Sequence, residues 1–320
     1  MTDLTIDFLG IRLANPLFAS AGPLQREIGN IRRMEDAGLA AVILHSLFEE
    51  EVSGSSGTPH FGPPPAPDEA PYAESNPDRY LEHLYRAKKA VNIPIIASLN
   101  GITPGGWVRY AGMIQEAAAD ALELNIYDFP TGPDTDGAAV ERRHAELIAE
   151  VRAAVKLPLL VKISPYFTSM IHAAKQFDAA GAGALVLFNR YYQTDFDVDR
   201  LEPFPNLHLS RPDELLLRLH WTGLIYGHIS AALAITGGIH SGVDAVKAVM
   251  AGASAAMMTS CLLERGIDHA GTILAEFAEW VEKHEYETIS QMRGSMSYKW
   301  VANKTAFTRA NYRNVLHSYR

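Results

Sequence analysis

Lys162 stands in the otherwise apolar run Leu-Val-Lys-Ile-Ser-Pro (Leu160–Pro165). An ammonium in such a run needs a partner, because an unpaired buried charge is costly. Three uses fit it: an ion pair with Glu123 on the neighbouring run, a Schiff base with a carbonyl substrate, or a hold on an anionic ligand. A second group lies in Leu-Glu-Leu-Asn-Ile-Tyr-Asp-Phe-Pro-Thr-Gly (Leu122–Gly132). There an alternating apolar stretch ends at Asn125, and Tyr127 and Asp128 follow before Pro130 breaks the chain. Asn and Asp at such an end either serve local turn hydrogen bonds or present an amide and a carboxylate to a site.

A third group suits phosphate. The run ending in Thr236-Gly237-Gly238 is followed by Ser241, which opens a helix with Asp244 three residues on, the spacing of a capping box. Paired glycines let backbone approach a ligand, and N–H groups near a helix start attract anions. The next run ends in Thr259-Ser260. A tight turn with an ordinary N-cap is the alternative. Ala19, Ser20 and Gly22, in Phe-Ala-Ser-Ala-Gly-Pro (Phe18–Pro23), are small enough for a flat ligand to come close. Asn189 and Arg190 end a further run, and Arg190 either forks to a ligand carboxylate or forms a surface salt bridge.

These residues share one kind of place, the end of a short apolar run. The runs are Pro16–Ser20, Ala40–His45, Ile95–Leu99, Ala121–Asn125, Leu159–Ile163, Ala184–Phe188, Ala231–Thr236 and Ala255–Thr259. Several are apolar at consecutive positions, as in parallel strands covered on both faces. Helical patterns lie between them: Val140, His144, Leu147, Ile148, Val151 and Val155 share one face, and so do Trp107, Ala111, Ile114 and Ala118. The pattern predicts an α/β fold, a (β/α)8 TIM barrel, with a doubly wound open sheet as the other arrangement of the same rhythm. Barrels build their sites at the strand C-termini, where the candidate groups fall. Two connections are too long to be plain loops. Ser53–Asn76 holds six of the eighteen prolines between Pro59 and Pro71 and reads as a lid or a disordered loop after the second strand, with the lid expected at Ser53–Pro71. Asn189–Arg211, with Phe196, Val198, Leu201, Leu207 and Leu209, predicts a hairpin inserted after the sixth strand.

The 320 residues are 48% hydrophobic and 20% charged, ample for one large core. The single cysteine, Cys261, excludes an internal disulfide, a metal site built from several cysteines and a self-contained iron–sulfur cluster. No metal site is expected. The amino terminus reads as neither a signal peptide nor an anchor, no run reaches membrane-spanning length, and a cytoplasmic protein is expected. The net charge of -9 argues against a nucleic-acid partner. Yet Thr288–Arg320 carries six Lys or Arg and no acid, with five aromatic residues. RNA binding is one use of such a segment; packing on the acidic body of its own or a partner subunit is the expected one. The chain thus divides into a barrel, 1–287, and a basic helical tail, 288–320, whose aromatics imply a homodimer.

In order and spacing, "NPLFASAG", "LELN", "LVKIS", "FN" after strand six, "TGGIHSG" and the terminal "TS" resemble the dihydroorotate dehydrogenase family of FMN barrels, from about Leu4 to Gly266. The resemblance implies FMN as cofactor, hydride transfer at a CH–CH bond of a small, dihydropyrimidine-like substrate, and a place in pyrimidine metabolism. It implies that Ala19, Ser20 and Gly22 lie against the flavin, that Asn125 touches flavin and substrate, and that Lys162 sits by the pyrimidine end of the ring. Gly237, Gly238, Thr259 and Ser260 would hold the phosphate; Asn189 and Arg190 would reach cofactor or substrate. Departures mark the substrate side. Where the family continues Leu-Ser-Cys-Pro-Asn, this chain has Ile126-Tyr127-Asp128-Phe129-Pro130, which puts Asp128 at the catalytic base, with Tyr127 or His45 as the other candidates. His45, followed by Ser46, replaces the lysine after strand two. The electron acceptor is not implied. Two other classes share these residues: a lyase or aldolase acting through Lys162, and a non-catalytic flavoprotein.

Overall fold

The computed structural model describes residues 2–48, 77–101 and 106–318. The chain opens with a small hairpin of β1 (Ile6–Phe8) and β2 (Ile11–Leu13). Leu9 and Gly10 turn it at φ of 59° and 78°, the mirror-image turn that matches strand twist. Phe8 meets the ring of Phe18 edge-on at 5.4 Å, so the hairpin packs on the first barrel strand.

Eight strands then follow: β3 (Leu17–Ala19), β4 (Ala41–Phe48), β5 (Ile95–Asn100), β6 (Ala121–Asn125), β7 (Leu159–Ile163), β8 (Ala184–Leu187) and, after the hairpin of β9 (Thr194–Asp197) and β10 (Glu202–Pro205), β11 (Ala232–Thr236) and β12 (Ala255–Met258). Each coincides with one of the eight apolar runs. Parallel pairing of β8 with β11 and of β12 with β3 closes the sheet, which makes it a barrel and not an open sheet. β6, β7, β8 and β12 are buried at every position. That is why β8 and β12 read as unbroken apolar runs, while β6 and β7 carry Glu123, Asn125 and Lys162 at buried positions.

The helices cover the outside. Gly137–Ala154 buries His144, Leu147, Ile148 and Val151, the expected face, and Asp136 caps it by accepting the Ala139 N–H at 2.7 Å. Gly106–Glu116 buries Ala111 and Ile114. Ala118, expected on that face, lies past the helix end at φ 62°. The inserted hairpin forms as expected, and its Phe196, Val198 and Leu201 are exposed. The lid expected at Ser53–Pro71 lies outside the described residues.

The tail is helical at Ile289–Met292 and Arg309–Ser318. Its first part is tied to the helices beneath by backbone bonds from Gly294, Met296 and Tyr298 to Val249, Met250 and Gly223, each 2.9 to 3.0 Å long. Phe307 covers Gly223 so closely that a Cβ there would come within 2.6 Å of the ring. Arg309–Ser318 buries no residue against the rest of the chain.

Candidate active-site cleft

The C-terminal ends of the barrel strands surround a cleft of about 580 Å3, within the range of small-molecule and cofactor sites. A polar belt crosses its floor because strand register lines up inward-facing residues. Ser46 pairs with Ser98, Ser98 with Glu123, and Asn125 with Lys162. The hydroxyls of Ser46 and Ser98 lie 2.9 Å apart, and Ser98 donates to Glu123 Oε1 at 3.0 Å. Lys162 Nζ donates to the same carboxylate oxygen at 2.8 Å. Glu123 is fully buried and Lys162 nearly so. Lys162 is therefore half of an ion pair, and an ammonium lacks the lone pair that a Schiff base needs.

Asn125 Nδ2 donates to Ser46 Oγ at 3.4 Å, while its buried Oδ1 has no partner among the described residues. An orphaned amide oxygen beside an ammonium is a place for a ligand donor. The β4–β5 register shifts between Ile43 and Ser46. Such an irregularity lets the consecutive residues His45 and Ser46 both reach the cleft wall. His45 packs on Tyr80 and His83 at ring distances of 5.2 and 5.4 Å. Burial, then Arg26 and His83, push its pKa down to about 4, so the imidazole is neutral near pH 7.

The other end of the cleft is lined by Gly237, Ser210, Thr259 and Ser260. Gly237 and Gly238 take φ of 88° and 82°, a left-handed pair that side chains adopt with strain. Ser210 ties this end together. Its hydroxyl accepts the Gly238 N–H at 3.2 Å and donates to Ser260 Oγ at 2.8 Å, and its own N–H donates to Ser260 Oγ at 2.9 Å. Thr259 donates to Ser20 O at 3.0 Å, and Thr236 to Ser20 Oγ at 2.9 Å. Gly22 is required beside Thr259, since a Cβ would come within 2.6 Å of the threonine methyl. Two expectations change here. Two of the N–H groups at the helix start are already engaged: Asp244 N–H by Ser241, and Gly242 N–H by the Glu276 carboxylate at 2.7 Å. Ala19 is wholly buried in β3, and Ser20, Ala21 and Gly22 form the wall in its place.

Asn189 lines the cleft, with its Nδ2 donating to Ile126 O at 2.8 Å. Arg190 also lines it but is paired with Glu214 at 3.2 Å. Tyr127 reaches the cleft because it lies two residues beyond Asn125 in extended chain and so points the same way. Its ring stacks on Tyr191 at 4.6 Å and its Oη accepts the Tyr192 N–H at 3.2 Å. Burial first, then the neighbouring tyrosines, hold its pKa above the usual phenol value despite that hydrogen bond.

Asp128 is not brought to the cleft wall. His144 lies 2.9 Å from its carboxylate, which also accepts a hydrogen bond from Arg143, both on the helix Gly137–Ala154. Burial pulls its pKa upward, but the bonds from Arg143 and then His144 outweigh burial and hold it below the ordinary carboxylate value. A proton acceptor for a carbon acid needs a raised pKa and a path to the substrate, and Asp128 has neither. The geometry makes it a tie between the strand end and the helix.

Several cleft residues escaped sequence reasoning. Asn100 sits beside Asn125 in register, one position past the run that marked its strand. Arg218 lies 4% exposed in the apolar helix Leu215–Ile225; an arginine in "LLLRLHW" was a usable signal of a buried, partnered charge. Ser210 carries no signal in its local sequence.

The sequence pattern of the dihydroorotate dehydrogenase family matches residues 3–203. The catalytic subunit of dihydroorotate dehydrogenase B (NAD(+)) of Thermoplasma acidophilum is 27% identical over 314 residues, 92% of this chain and 99% of that protein. The corresponding subunit of Methanocaldococcus jannaschii is 26% identical, over 91% and 97% of the two chains. A putative dihydroorotate dehydrogenase A (fumarate) of Aeropyrum pernix is 26% identical over 82% of this chain and 88% of its own.

Proposed function

The chain belongs to the dihydroorotate dehydrogenase family, and from that premise we propose that it is an FMN-dependent oxidoreductase acting at a CH–CH bond of a small, dihydropyrimidine-like substrate. One observation carries this reading. A single cleft joins a Gly-Gly and hydroxyl cradle at one end to an ammonium and an orphaned amide oxygen at the other. When bound, FMN supplies the two-electron acceptor or donor for hydride.

The chain's own residues bind, orient and move a proton. Gly237, Ser210, Thr259 and Ser260 hold the phosphate end, while Gly238 gives its N–H to Ser210 and shapes the turn. Ser20 and Gly22 allow close approach of a flat ring, and His45 and Ser46 meet it from the neighbouring strand. Asn125 Oδ1 accepts from a ligand N–H, and Lys162, steadied by Glu123, donates at the same end. Asn189 closes the substrate side, while Arg190, paired with Glu214, stands toward the phosphate end.

Proton transfer falls to Tyr127. Its oxygen already accepts from Tyr192, which leaves its own proton to be given to a ligand. The neutral phenol is the acid when a C=C bond is reduced, and the phenolate it leaves is the base when the bond is formed. A visible absorption spectrum of the purified protein tests the cofactor. Flavin bands, present at isolation or after incubation with FMN, are expected; a protein that stays colourless after that incubation is not a flavoprotein.

A further inference from the structure

Among the described residues, the cleft wall carries four cationic side chains, Arg26, Lys162, Arg190 and Arg218, and no carboxylate. This is unusual in a chain of net charge -9. Lys162 is matched by Glu123. Arg190 and Arg218 share one acid: Glu214 Oε1 lies 3.2 Å from Arg190 Nη2, and its Oε2 lies 4.0 Å from Arg218 Nη1. Two guanidiniums against one carboxylate leave a positive charge in excess at the phosphate end.

Arg218 is built into that end. It is 4% exposed. Its Nε donates to Thr236 O, and its Nη1 donates to Glu214 O at 2.7 Å. Nη2 stands over the first glycine of the cradle, 2.8 Å from where a Cβ of Gly237 would be. A guanidinium carries five N–H donors in a fixed plane, and the described residues provide no acceptor for those on Nη2. Burial lowers the Arg218 pKa below the usual arginine value; Glu214 opposes that and Arg190 adds to it. An anion at Nη2 would act with Glu214.

We propose that Arg218 is the charged arm of the phosphate cradle and makes the chain select a phosphorylated flavin over its unphosphorylated form. The Gly-Gly turn and the Ser210–Ser260 pair give shape and hydrogen bonds to a phosphate monoester. Arg218 gives the charge that only the phosphorylated ligand can meet. This inference rests on the flavin reading above. A purely structural Arg218, tying the helix to the end of β11, would affect both flavins alike.

Affinities of the apo-protein for FMN and for riboflavin, measured by quenching of flavin fluorescence, separate the cases. The parent should prefer FMN, and inorganic phosphate should compete with it. Arg218→Gln should weaken FMN by about ten- to a hundredfold, the scale of a charged hydrogen bond, and leave riboflavin unchanged. Arg218→Lys should fall between. Glu214→Gln keeps an acceptor for the Arg211 N–H, which now bonds Oε1 at 3.1 Å, and removes the competing charge. It should tighten FMN and not riboflavin. Equal loss of both flavins in Arg218→Gln, or weaker FMN binding in Glu214→Gln, would overturn the proposal. Glu214→Gln and Arg218→Lys decide it if Arg218→Gln does not fold. A parent that binds neither flavin rejects the flavin reading itself, whereas one that binds both equally rejects only the role of Arg218.

Discussion

At Asp128 burial and hydrogen bonding pull one carboxyl in opposite directions, and the bonds from Arg143 and His144 win. A carboxyl whose folded pKa is depressed contributes stability above its ordinary value of about 3.9, and that contribution is lost as pH falls through the folded value. Asp128→Asn should therefore lower stability at pH 7 by about 1–3 kcal/mol, discounted because Arg143 is partly exposed. It should leave turnover of bound flavin close to that of the parent. Tyr127→Phe should do the reverse, keeping the melting temperature and slowing substrate turnover roughly a hundredfold. Stopped-flow flavin absorbance alongside thermal melts distinguishes the two, and a hundredfold slowing in Asp128→Asn would return the proton to Asp128. His45 gives a separate signal. Its pKa falls from 6.5 to about 4 on folding, so the unfolded chain binds the extra proton between those values. Stability should drop as pH falls from about 6.5 toward 4, and urea midpoints of His45→Asn should drop less over that window. The sequence places Asp128 three residues past Asn125 and so beside a substrate. It does not contain the rotation of the helix Gly137–Ala154, set by packing of Leu147 and Ile148, that brings His144 and Arg143 onto the carboxylate.

Strands were the most legible elements, because a parallel strand covered on both faces must be apolar at every position. Each of the eight runs became a barrel strand. The exceptions inside them, Glu123, Asn125 and Lys162, were legible as chemistry for the same reason: polar side chains in such runs need partners. For Lys162 the partner was legible too, as Glu123 on the neighbouring run; that Ser98 joins the same carboxylate was not. Register alone decides that Ser98 and Lys162 both reach Glu123 Oε1, and register depends on pairing between strands. Glu123→Gln should leave Lys162 buried without its counter-charge and lower stability by about 3–5 kcal/mol, read as a fall in denaturation midpoint. Replacing both partners together, Glu123→Leu with Lys162→Met, should recover most of that loss and still weaken flavin binding. If the double replacement is no more stable than Glu123→Gln, the pair is not what holds these strand ends. The connecting helices were less legible. Arg218 follows three leucines, and its function depends on the glycine turn it faces, which lies on another element.

At the scale of the whole chain, the tail after residue 287 behaves as two parts. Gly294, Met296 and Tyr298 are stitched to the barrel helices, Arg293 donates to Ser254 Oγ at 2.9 Å, and Phe307 fills the space over Gly223. The final helix, Arg309–Ser318, leaves Tyr312, Val315 and Leu316 more than half exposed, and their spacing puts all three on one face. The first part is held within one chain by backbone bonds, a serine hydroxyl and an aromatic ring. For the last helix, a second copy is the surface we expect, since the tail is cationic and the chain as a whole carries -9. Two truncations separate the parts. Ending the chain at residue 292 removes the stitches and Phe307, and should lower the melting temperature by several degrees. Ending it at 308 removes the helix Arg309–Ser318, none of whose residues is buried, so the melting temperature of dilute protein should hold. The same truncation should convert a dimer to a monomer in light scattering, and salt should do so partially in the intact chain, because charge attraction between exposed surfaces is screened. An intact chain that is monomeric at all concentrations, or a dimer that survives the truncation at 308, would remove the final helix from any interface between copies.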